Sequence, residues 1–598
     1  MRELADPERV VQAGLHRHRM LDRGDPARVI YSFSFYERGP GVNWLRVQTD
    51  NYDQPFNMAE GMRLDLGSTA KLRTLVHYLQ IMAELHERLA GLDARGVEQF
   101  EVPYPDRLSR WARERLSNNP DLGLSEFLEA ALQRRYSASP SRRFYTGGGM
   151  HRFSNFSPDD DEKLLTVLEA FHRSVNLVFV RLMRDIVRYC ERSVVDSTVG
   201  LLENLDHPLR KAYLRRFAER EGGLLVNRFY RQHSGHAVGE SLEILLRRAG
   251  SSPKRLATVL RAVAPGIALE NFSARMRDLL PHTQLTNPAL AKLYRNQGVE
   301  RLGWSDRAYI TRIHSLELWV VAYLHRQPKA TLNELLRASR DVRIAVYRWL
   351  FRTRHKRAQD RRIQTLLEIE AFMAIQQAWQ NLGYPFESLV PSYATALGSS
   401  GDRPAALAEL MGIILNEGVR YPTRRFERLK FAEQTPYETV LSPLLAEGQR
   451  VLAPQVAMAV RRALIGTVQK GTARRIQDAF LDRDGRSLIV GGKTGTGDHR
   501  HRTYGPGGRL LKERVVNRSA TFMFFIDDRF YGVMTAHVPG PDAAVYHFTS
   551  TLAVQLLRLF APVLQPLIQQ PPATLRVAQG QDETLVLPGI AQSLSVSQ

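Results

Sequence analysis

The alternation of apolar and polar residues predicts strands near both ends of the chain. Over Val29–Thr49, two β-rich runs on either side of a Gly/Pro turn have the pattern of a hairpin with one buried face. Three further β-type runs follow much later, at Ser487–Thr496, Ala520–Ile526 and Phe530–His537. We therefore expect one five-stranded antiparallel sheet built from both ends of the chain.

Helical periodicity fills most of the remaining chain. One helix is predicted to open at Gly67-Ser68 and to continue to Gly91. A second is predicted over Phe171–Arg188. From about residue 184 to residue 383 one helical pattern follows another, rich in arginine and most basic at Arg352–Arg362. No repeat of fixed period appears in this part.

These patterns divide the chain into four segments. We predict that residues 1–190 and 384–565 form one α+β domain, with residues 191–383 as a large all-helical insertion. Residues 566–598 form a Pro/Gln-rich tail. A length of 598 residues is sufficient for more than one domain.

The amino-acid composition indicates which kinds of molecule the protein can contact and whether it can form a disulfide. The net charge of +21 favours contact with polyanions such as anionic lipid, cell-wall polymer or nucleic acid, without choosing among them. No helix-turn-helix signature is clear, so nucleic acid is not expected. The single cysteine, Cys190, excludes an intramolecular disulfide.

Membrane and export signals are not evident in the sequence. The first six residues are polar, with no apolar segment of a signal peptide. No run reaches the roughly 20 apolar residues that span a bilayer. The best candidate, Leu552–Leu567, is interrupted by Gln555, Arg558 and Pro562, and we interpret it as an amphipathic helix on a sheet.

Three short strings carry the candidate chemistry: Ser68-Thr69-Ala70-Lys71, Ser174-Val175-Asn176 and Lys493-Thr494-Gly495-Thr496-Gly497. A serine hydroxyl is a poor nucleophile at neutral pH and needs a base. Positions i and i+3 share a helix face, so Lys71 can reach the hydroxyl of Ser68. Together the strings indicate covalent acyl transfer through serine. No metal-ligand spacing is present, and no cofactor is expected.

Each polar residue of the strings has a predicted role. A lysine acts as a base only if burial or another cation lowers its pKa, and Lys493 could supply that second charge for Lys71. Ser174 could relay a proton to a leaving group. Asn176 could hold Lys71 and a substrate amide.

The third string is predicted to bind substrate. Thr494 and Thr496 can hydrogen-bond a substrate carboxylate, with Lys493 adding charge. Gly495 lets a substrate backbone approach the strand. The backbone N–H groups of Ser68 and Thr496 would form the oxyanion hole.

Chance matches to the first two strings are expected in a chain of this length. Ser251-Ser252-Pro253-Lys254 fits the first pattern but is typical of a helix cap with proline at the first position. Ser117-Asn118-Asn119 fits the second but precedes Pro120-Asp121, and we predict a loop there.

With these strings in place, the chain resembles the transpeptidase domain of penicillin-binding proteins, most closely the bifunctional class A type. The resemblance covers roughly residues 25–190 and 384–565. It extends to stretches outside the three strings: Phe56–Lys71, Leu165–Val180, Tyr393–Gly418, Gly466–Ala473 and Asn517–Gly532.

The resemblance implies a penicilloyl-serine transferase (β-lactamase/transpeptidase-like) fold and a bacterial peptidoglycan D,D-transpeptidase. Ser68 would form an acyl-enzyme with the D-Ala-D-Ala end of a stem peptide, and an amine of a neighbouring stem peptide would resolve it. β-Lactams would acylate the same serine. The resemblance also implies the periplasmic or cell-envelope face of the inner membrane, and possible contact with membrane or cell-wall polymer.

The chain departs from the family pattern in several places. Leu66 and Leu72 stand where prolines are usual, and Ser519–Phe522 stands where Asp-Ala-Trp-Phe is usual. A longer Arg/Gly loop is predicted over His499–Arg509. The family's glycosyltransferase motif is absent, so we expect the C-terminal part of a longer transglycosylase-associated protein.

Two alternatives remain open. One is a D,D-carboxypeptidase or β-lactamase-like hydrolase; Val175 occupies the middle of the second string, and no deacylating glutamate can be assigned. The other is a non-catalytic cell-wall scaffold that binds through the basic helical insertion.

Overall fold

The computed structural model describes residues 1–571 except 103–105, 147–148, 195–200, 203, 238, 353–354, 443–445 and 505–509. The chain divides into two compact units, Met1–Val194 with Glu368–Gln598, and Val195–Leu367. The predicted helical segment, 191–383, contains the second unit. The helix Lys356–Asn381 begins in the second unit and ends in the first. The predicted tail begins too early, because residues 566–569 still belong to the helix Ser550–Gln569; its residues 572–598 lie outside the described residues.

The strands of the first unit are β1 Ile30–Gly39, β2 Val42–Asp50, β3 Arg135–Ser137, β4 Phe144–Thr146, β5 Gly149–His151, β6 Leu164–Thr166, β7 Val419–Arg420, β8 Thr423–Arg424, β9 Leu429–Phe431, β10 Thr439–Leu441, β11 Gln449–Arg450, β12 Val490–Tyr504, β13 Leu510–Ile526 and β14 Phe530–Pro539. The main sheet has the order β12-β13-β14-β1-β2-β8. The first five are antiparallel, as the alternation predicts. The sixth, β8, is a two-residue strand parallel to β2 that the pattern does not reveal.

The α-helices of the first unit span Pro7–Gln12, Met58–Gly61, Ala70–Ala90, Ala94–Gln99, Arg107–Asn118, Leu124–Leu132, Val167–Arg173, Asn176–Val194, Pro404–Leu415, Pro454–Gln469 and Ser550–Gln569. Those of the second unit span Pro208–His233, Glu240–Ala249, Pro253–Val263, Leu269–Leu279, Asn287–Asn296, Trp304–Thr311, Ser315–Arg326, Leu332–Ala338 and Arg340–Val346. The described part of the second unit has no strand, in agreement with its helical pattern.

The central strands β1 and β14 are buried on both faces, since successive side chains point to opposite sides and nearly all of them are buried. The prediction of one buried face over Val29–Thr49 is therefore wrong for β1, because a helical layer covers each side of the sheet. Met523 and Phe525 of β13 pack in the core that includes the helix Ala70–Ala90. Phe522 and Phe524 pack in the core that includes the helix Ser550–Gln569. This arrangement places the N-terminus of the helix Ala70–Ala90 beside β12.

Three further local predictions were wrong. The predicted helix over Phe171–Arg188 is two helices that meet at Ser174-Val175. The predicted loop at Ser117 is the last turn of the helix Arg107–Asn118. The predicted Arg/Gly loop is strand as far as Tyr504, because β12 and β13 continue as a long hairpin; residues 505–509 lie outside the described residues.

The helix Ser550–Gln569 is more apolar than the sequence analysis allowed. Within the described residues it is the one helix long and apolar enough to cross a bilayer by length and composition. Half of its apolar stretch is buried within the protein, as in a helix of a protein core. Its packing on the sheet agrees with the predicted amphipathic helix.

Candidate active site

Lys71 lies at the centre of a cluster of oxygen atoms. Its Nζ is 2.9 Å from Ser68 Oγ and 2.7 Å from Asn176 Oδ1. It is also 2.6 Å from the carbonyl oxygen of Ser174 and 3.1 Å from that residue's Oγ. Two of these oxygens, the Ser174 carbonyl and Asn176 Oδ1, can only accept, and a neutral amine can donate one N–H to each and accept from the Ser68 hydroxyl with its lone pair. The geometry therefore suits a neutral lysine that accepts the Ser68 proton.

The short link between two helices brings the second string to Lys71. Ser174 ends the helix Val167–Arg173 in the left-handed conformation, with φ of +57°, so that its carbonyl and hydroxyl oxygens both contact Lys71. Asn176 begins the next helix. Its Nδ2 donates to the carbonyl of Ser154 at 2.9 Å, which fixes the amide with Oδ1 towards Lys71.

Lys493 approaches the same hydroxyl from the strand. Its Nζ donates to Ser174 Oγ at 3.0 Å and to the carbonyl of Thr494 at 2.9 Å, and it lies 5.6 Å from the centre of the Phe171 ring. Ser174 Oγ thus bridges the two lysines. The three strings, which are 103 and 319 residues apart at these contacts, meet at one point.

Burial perturbs both lysines. Lys71 and Lys493 are each 0% exposed. Desolvation lowers the pKa of Lys71 well below its ordinary value, and the positive charge of Lys493 lowers it further. Desolvation also lowers the pKa of Lys493, to about 7. Within the described residues, neither lysine forms an ion pair with a carboxylate that would oppose this lowering of the pKa.

Glycines allow the serine turn to pack directly on β12. A Cβ on Gly67, which has φ of +54°, would lie 2.1 Å from the carbonyl oxygen of Thr496. A Cβ on Gly495 would lie 2.1 Å from the carbonyl oxygen of Leu66. Only glycine fits such contacts. The backbones of Ser68 and Thr496, the two residues predicted for the oxyanion hole, are therefore adjacent.

The hydroxyls of the third string have partners that the sequence analysis missed. Thr494 is 2% exposed, and its Oγ1 is 2.6 Å from Thr472 Oγ1. Thr496 Oγ1 accepts a hydrogen bond from the backbone of Ser550 at 2.9 Å. Each hydroxyl can still make one further hydrogen bond. The string Gly471-Thr472-Ala473, just before the strand, is the signal that could have identified Thr472.

Asp65 is a second residue that sequence reasoning missed. Its carboxylate accepts from the backbone of Gly67 at 3.0 Å, and burial raises its pKa to about 6. Ser519, which stands where the family pattern differs, donates from Oγ to the carbonyl of Asp65. These contacts hold the segment that leads into Ser68. Only its position three residues before Ser68 could have indicated Asp65.

The other string that fits the first pattern, Ser251–Lys254, belongs to the second unit. Ser252 occupies the N-cap position of the helix Pro253–Val263 in the second unit, with Pro253 at the first position as predicted, but its side chain makes no capping hydrogen bond. Within the described residues, no group of three or more His, Cys, Asp or Glu side chains could hold a metal ion.

Comparisons with known proteins were made at the levels of sequence and structure. No protein-family model matches the chain, and no curated protein sequence matches it significantly. Solved structures similar to it include penicillin-binding protein 3 of Mycobacterium tuberculosis complexed with aztreonam: 11% identity, 97% of this chain, 78% of that chain, TM-score 0.36.

Two further structures come from the same organism. Penicillin-binding protein PonA1 has 12% identity over 94% of this chain and 82% of its own, with a TM-score of 0.36. Penicillin-binding protein A, solved as a ceftriaxone acyl-enzyme complex, has 13% identity over 89% and 73%, with a TM-score of 0.35. At such identities and TM-scores, we base the function on the geometry of the site.

Proposed function

We propose that this chain is a serine acyltransferase of the penicillin-binding type, which cross-links peptidoglycan stem peptides as a D,D-transpeptidase at the cell envelope. The observation that carries the proposal is the contact of 2.9 Å between Ser68 Oγ and the Nζ of Lys71, a buried lysine with a lowered pKa. A hydroxyl and a neutral amine at this distance form a nucleophile with its base.

Acylation begins when Ser68 Oγ attacks the carbonyl carbon of the penultimate D-alanine. The hydroxyl proton passes to neutral Lys71 Nζ, and the oxyanion lies between the backbone N–H groups of Ser68 and Thr496. Collapse of this intermediate breaks the peptide bond. The proton passes from Lys71 through Ser174 Oγ to the leaving nitrogen, which is supported by the contacts of Ser174 with both lysines.

Deacylation reverses the proton path. The amine of a second stem peptide attacks the ester, its proton passes to Lys71, and Ser68 leaves as a hydroxyl. Lys493, with Thr494 and Thr496, binds the terminal carboxylate of the donor peptide. A β-lactam presents a carboxylate and an acylating carbonyl in the same way and is expected to acylate Ser68.

A hydrolytic reaction is less well supported. A hydrolase of the class A β-lactamase type needs a carboxylate that activates water beside the acyl-serine. Within the described residues, no hydrogen bond joins a carboxylate to Ser68 or Lys71. The acyl-enzyme is therefore expected to persist until an amine resolves it.

Labelling with a fluorescent penicillin tests the proposal. The purified chain is expected to take up one covalent label, and Ser68→Ala to take up none. Ser251→Ala is the matched control, since it removes the serine of the other S-x-x-K string in the chain. Equal labelling of Ser68→Ala and the control would contradict the assignment. Release of the label within seconds would favour the hydrolase.

A further inference from the structure

Three arginines line one pocket of the helical unit. Arg337 belongs to the helix Leu332–Ala338, and Arg340 and Arg343 belong to the helix Arg340–Val346. With Asn333 and Leu336 they border an open pocket of about 810 Å³. Of the described residues that line it, none is acidic. The pocket thus combines space for a small group with guanidinium and amide donors.

Glycine makes room for one of these arginines. Gly222 lies within the long helix Pro208–His233, where glycine is disfavoured. A Cβ there would lie 2.8 Å from Cβ, Cγ and Cδ of Arg343, so the bare backbone forms a cradle for that side chain. Gly222, although unfavourable inside a helix, therefore leaves the space in which the side chain of Arg343 lies beside the pocket.

Arg343 is buried without enough hydrogen-bond partners. It is 9% exposed, and its Nη1 donates to Ser339 Oγ at 3.2 Å, but its Nε has no partner. A buried guanidinium N–H without an acceptor is unfavourable, so an acceptor bound in the pocket would stabilise it. Arg340 is partly neutralised, because its Nε donates to Glu219 at 3.2 Å.

We propose that this pocket binds a phosphate-bearing anion. Three arginines, against Glu219, which accepts from Arg340, and Glu334, whose charge interacts with that of Arg337, leave a local charge of +1 (3 − 2), which favours an anion. Planar guanidinium groups form paired hydrogen bonds with phosphate oxygens. The surrounding unit carries 31 Lys and Arg against 15 Asp and Glu, a net charge of +16, which raises the local concentration of anions.

The test compares two double variants of the full chain. Arg337→Gln with Arg340→Gln removes two exposed arginines of the pocket. Arg295→Gln with Lys292→Gln removes the same charge from another helix of the same unit. The probes are inorganic phosphate and pyrophosphate, measured by calorimetry, and vesicles of phosphatidylglycerol, measured by sedimentation against vesicles of phosphatidylcholine.

The pocket variant is expected to bind the phosphate probes about tenfold or more weakly, and the control to bind them within about twofold of the parent. If only the anionic vesicles bind, and the pocket variant loses them selectively, the ligand is a lipid headgroup rather than free phosphate. Equal losses in both variants, or no binding of any probe, would overturn the proposal. Penicillin labelling of Ser68 is measured in parallel, so that failure of either proposal is seen separately.

Discussion

The two units differ in where the basic side chains of their proposed sites lie, buried in the first and mostly exposed in the second. The first unit has 425 residues and a net charge of +5, yet it buries two lysines completely at one point. The second has 173 residues and a net charge of +16, carried largely by exposed arginines. Burial takes a charge out of water and changes its pKa, whereas a solvated arginine stays charged and attracts anions at a distance. Position in the fold thus decides whether a cation becomes a base or a binding group.

The largest expected effect comes from replacing the buried Lys71 with arginine. Lys71→Arg replaces the neutral amine with a permanently charged guanidinium and so removes the base, because a guanidinium does not lose its proton in a protein. We expect penicillin acylation to fall by about 100- to 10,000-fold. The measurement is the second-order rate of labelling, with circular dichroism to show that the variant is folded.

Lys254→Arg is the control for that variant, since Lys254 is the lysine of the other S-x-x-K string, Ser251–Lys254, in the second unit. It is expected to label at the parental rate. If Lys71→Arg is still acylated at the parental rate, Lys71 is not the base. The contrast between a buried, neutral lysine and exposed, charged arginines would then have no catalytic consequence.

The second effect concerns pH. Acylation needs neutral Lys71, so its rate is expected to rise about tenfold per pH unit below the lowered pKa of that lysine. In the proposed mechanism Lys493 binds the substrate carboxylate only while it is protonated, and its pKa is about 7. The rate should therefore fall again above about pH 7, which gives a bell-shaped profile measured as the labelling rate between pH 5 and pH 10.

Two variants test which group causes the rise and which causes the fall of the labelling rate with pH. Lys493→Gln should lose the alkaline limb. Asp65→Asn should keep the rising limb, although the pKa of Asp65 is raised to about 6 and that of His172, which lies near Lys493, is lowered. Loss of the rising limb in Asp65→Asn would assign it to the carboxylate rather than to Lys71.

The smallest expected effect is that of salt. Increasing NaCl from about 0.05 to 0.5 M shortens the screening length to a few ångströms and weakens attraction between exposed charges. Binding of pyrophosphate to the helical unit should weaken severalfold, while the labelling rate of Ser68 should change by less than about twofold. Equal salt dependence of the two processes would contradict the distinction between buried and solvated cations.

The sequence predicts some elements well and others poorly, for identifiable reasons. The helix after Ser68 is predicted by its helical spacing and the five long strands by their β-type runs, because burial selects apolar side chains along each element. The break at Ser174 does not, because a serine in the left-handed conformation has no sequence signal comparable to glycine. The continuation of β12 towards Tyr504 also escapes, since pairing with β13 overrides an Arg-rich, loop-like composition.

Local sequence is enough to bring the proposed nucleophile and its proposed base together. Ser68 and Lys71 meet because helical geometry places i and i+3 on one face, whatever the rest of the chain does. Tertiary structure alone decided the remainder: the approach of Ser174 and Lys493, the partner of Thr494 and the lowered pKa values. Desolvation depends on every segment that excludes water from a group, and no local pattern of residues encodes that sum.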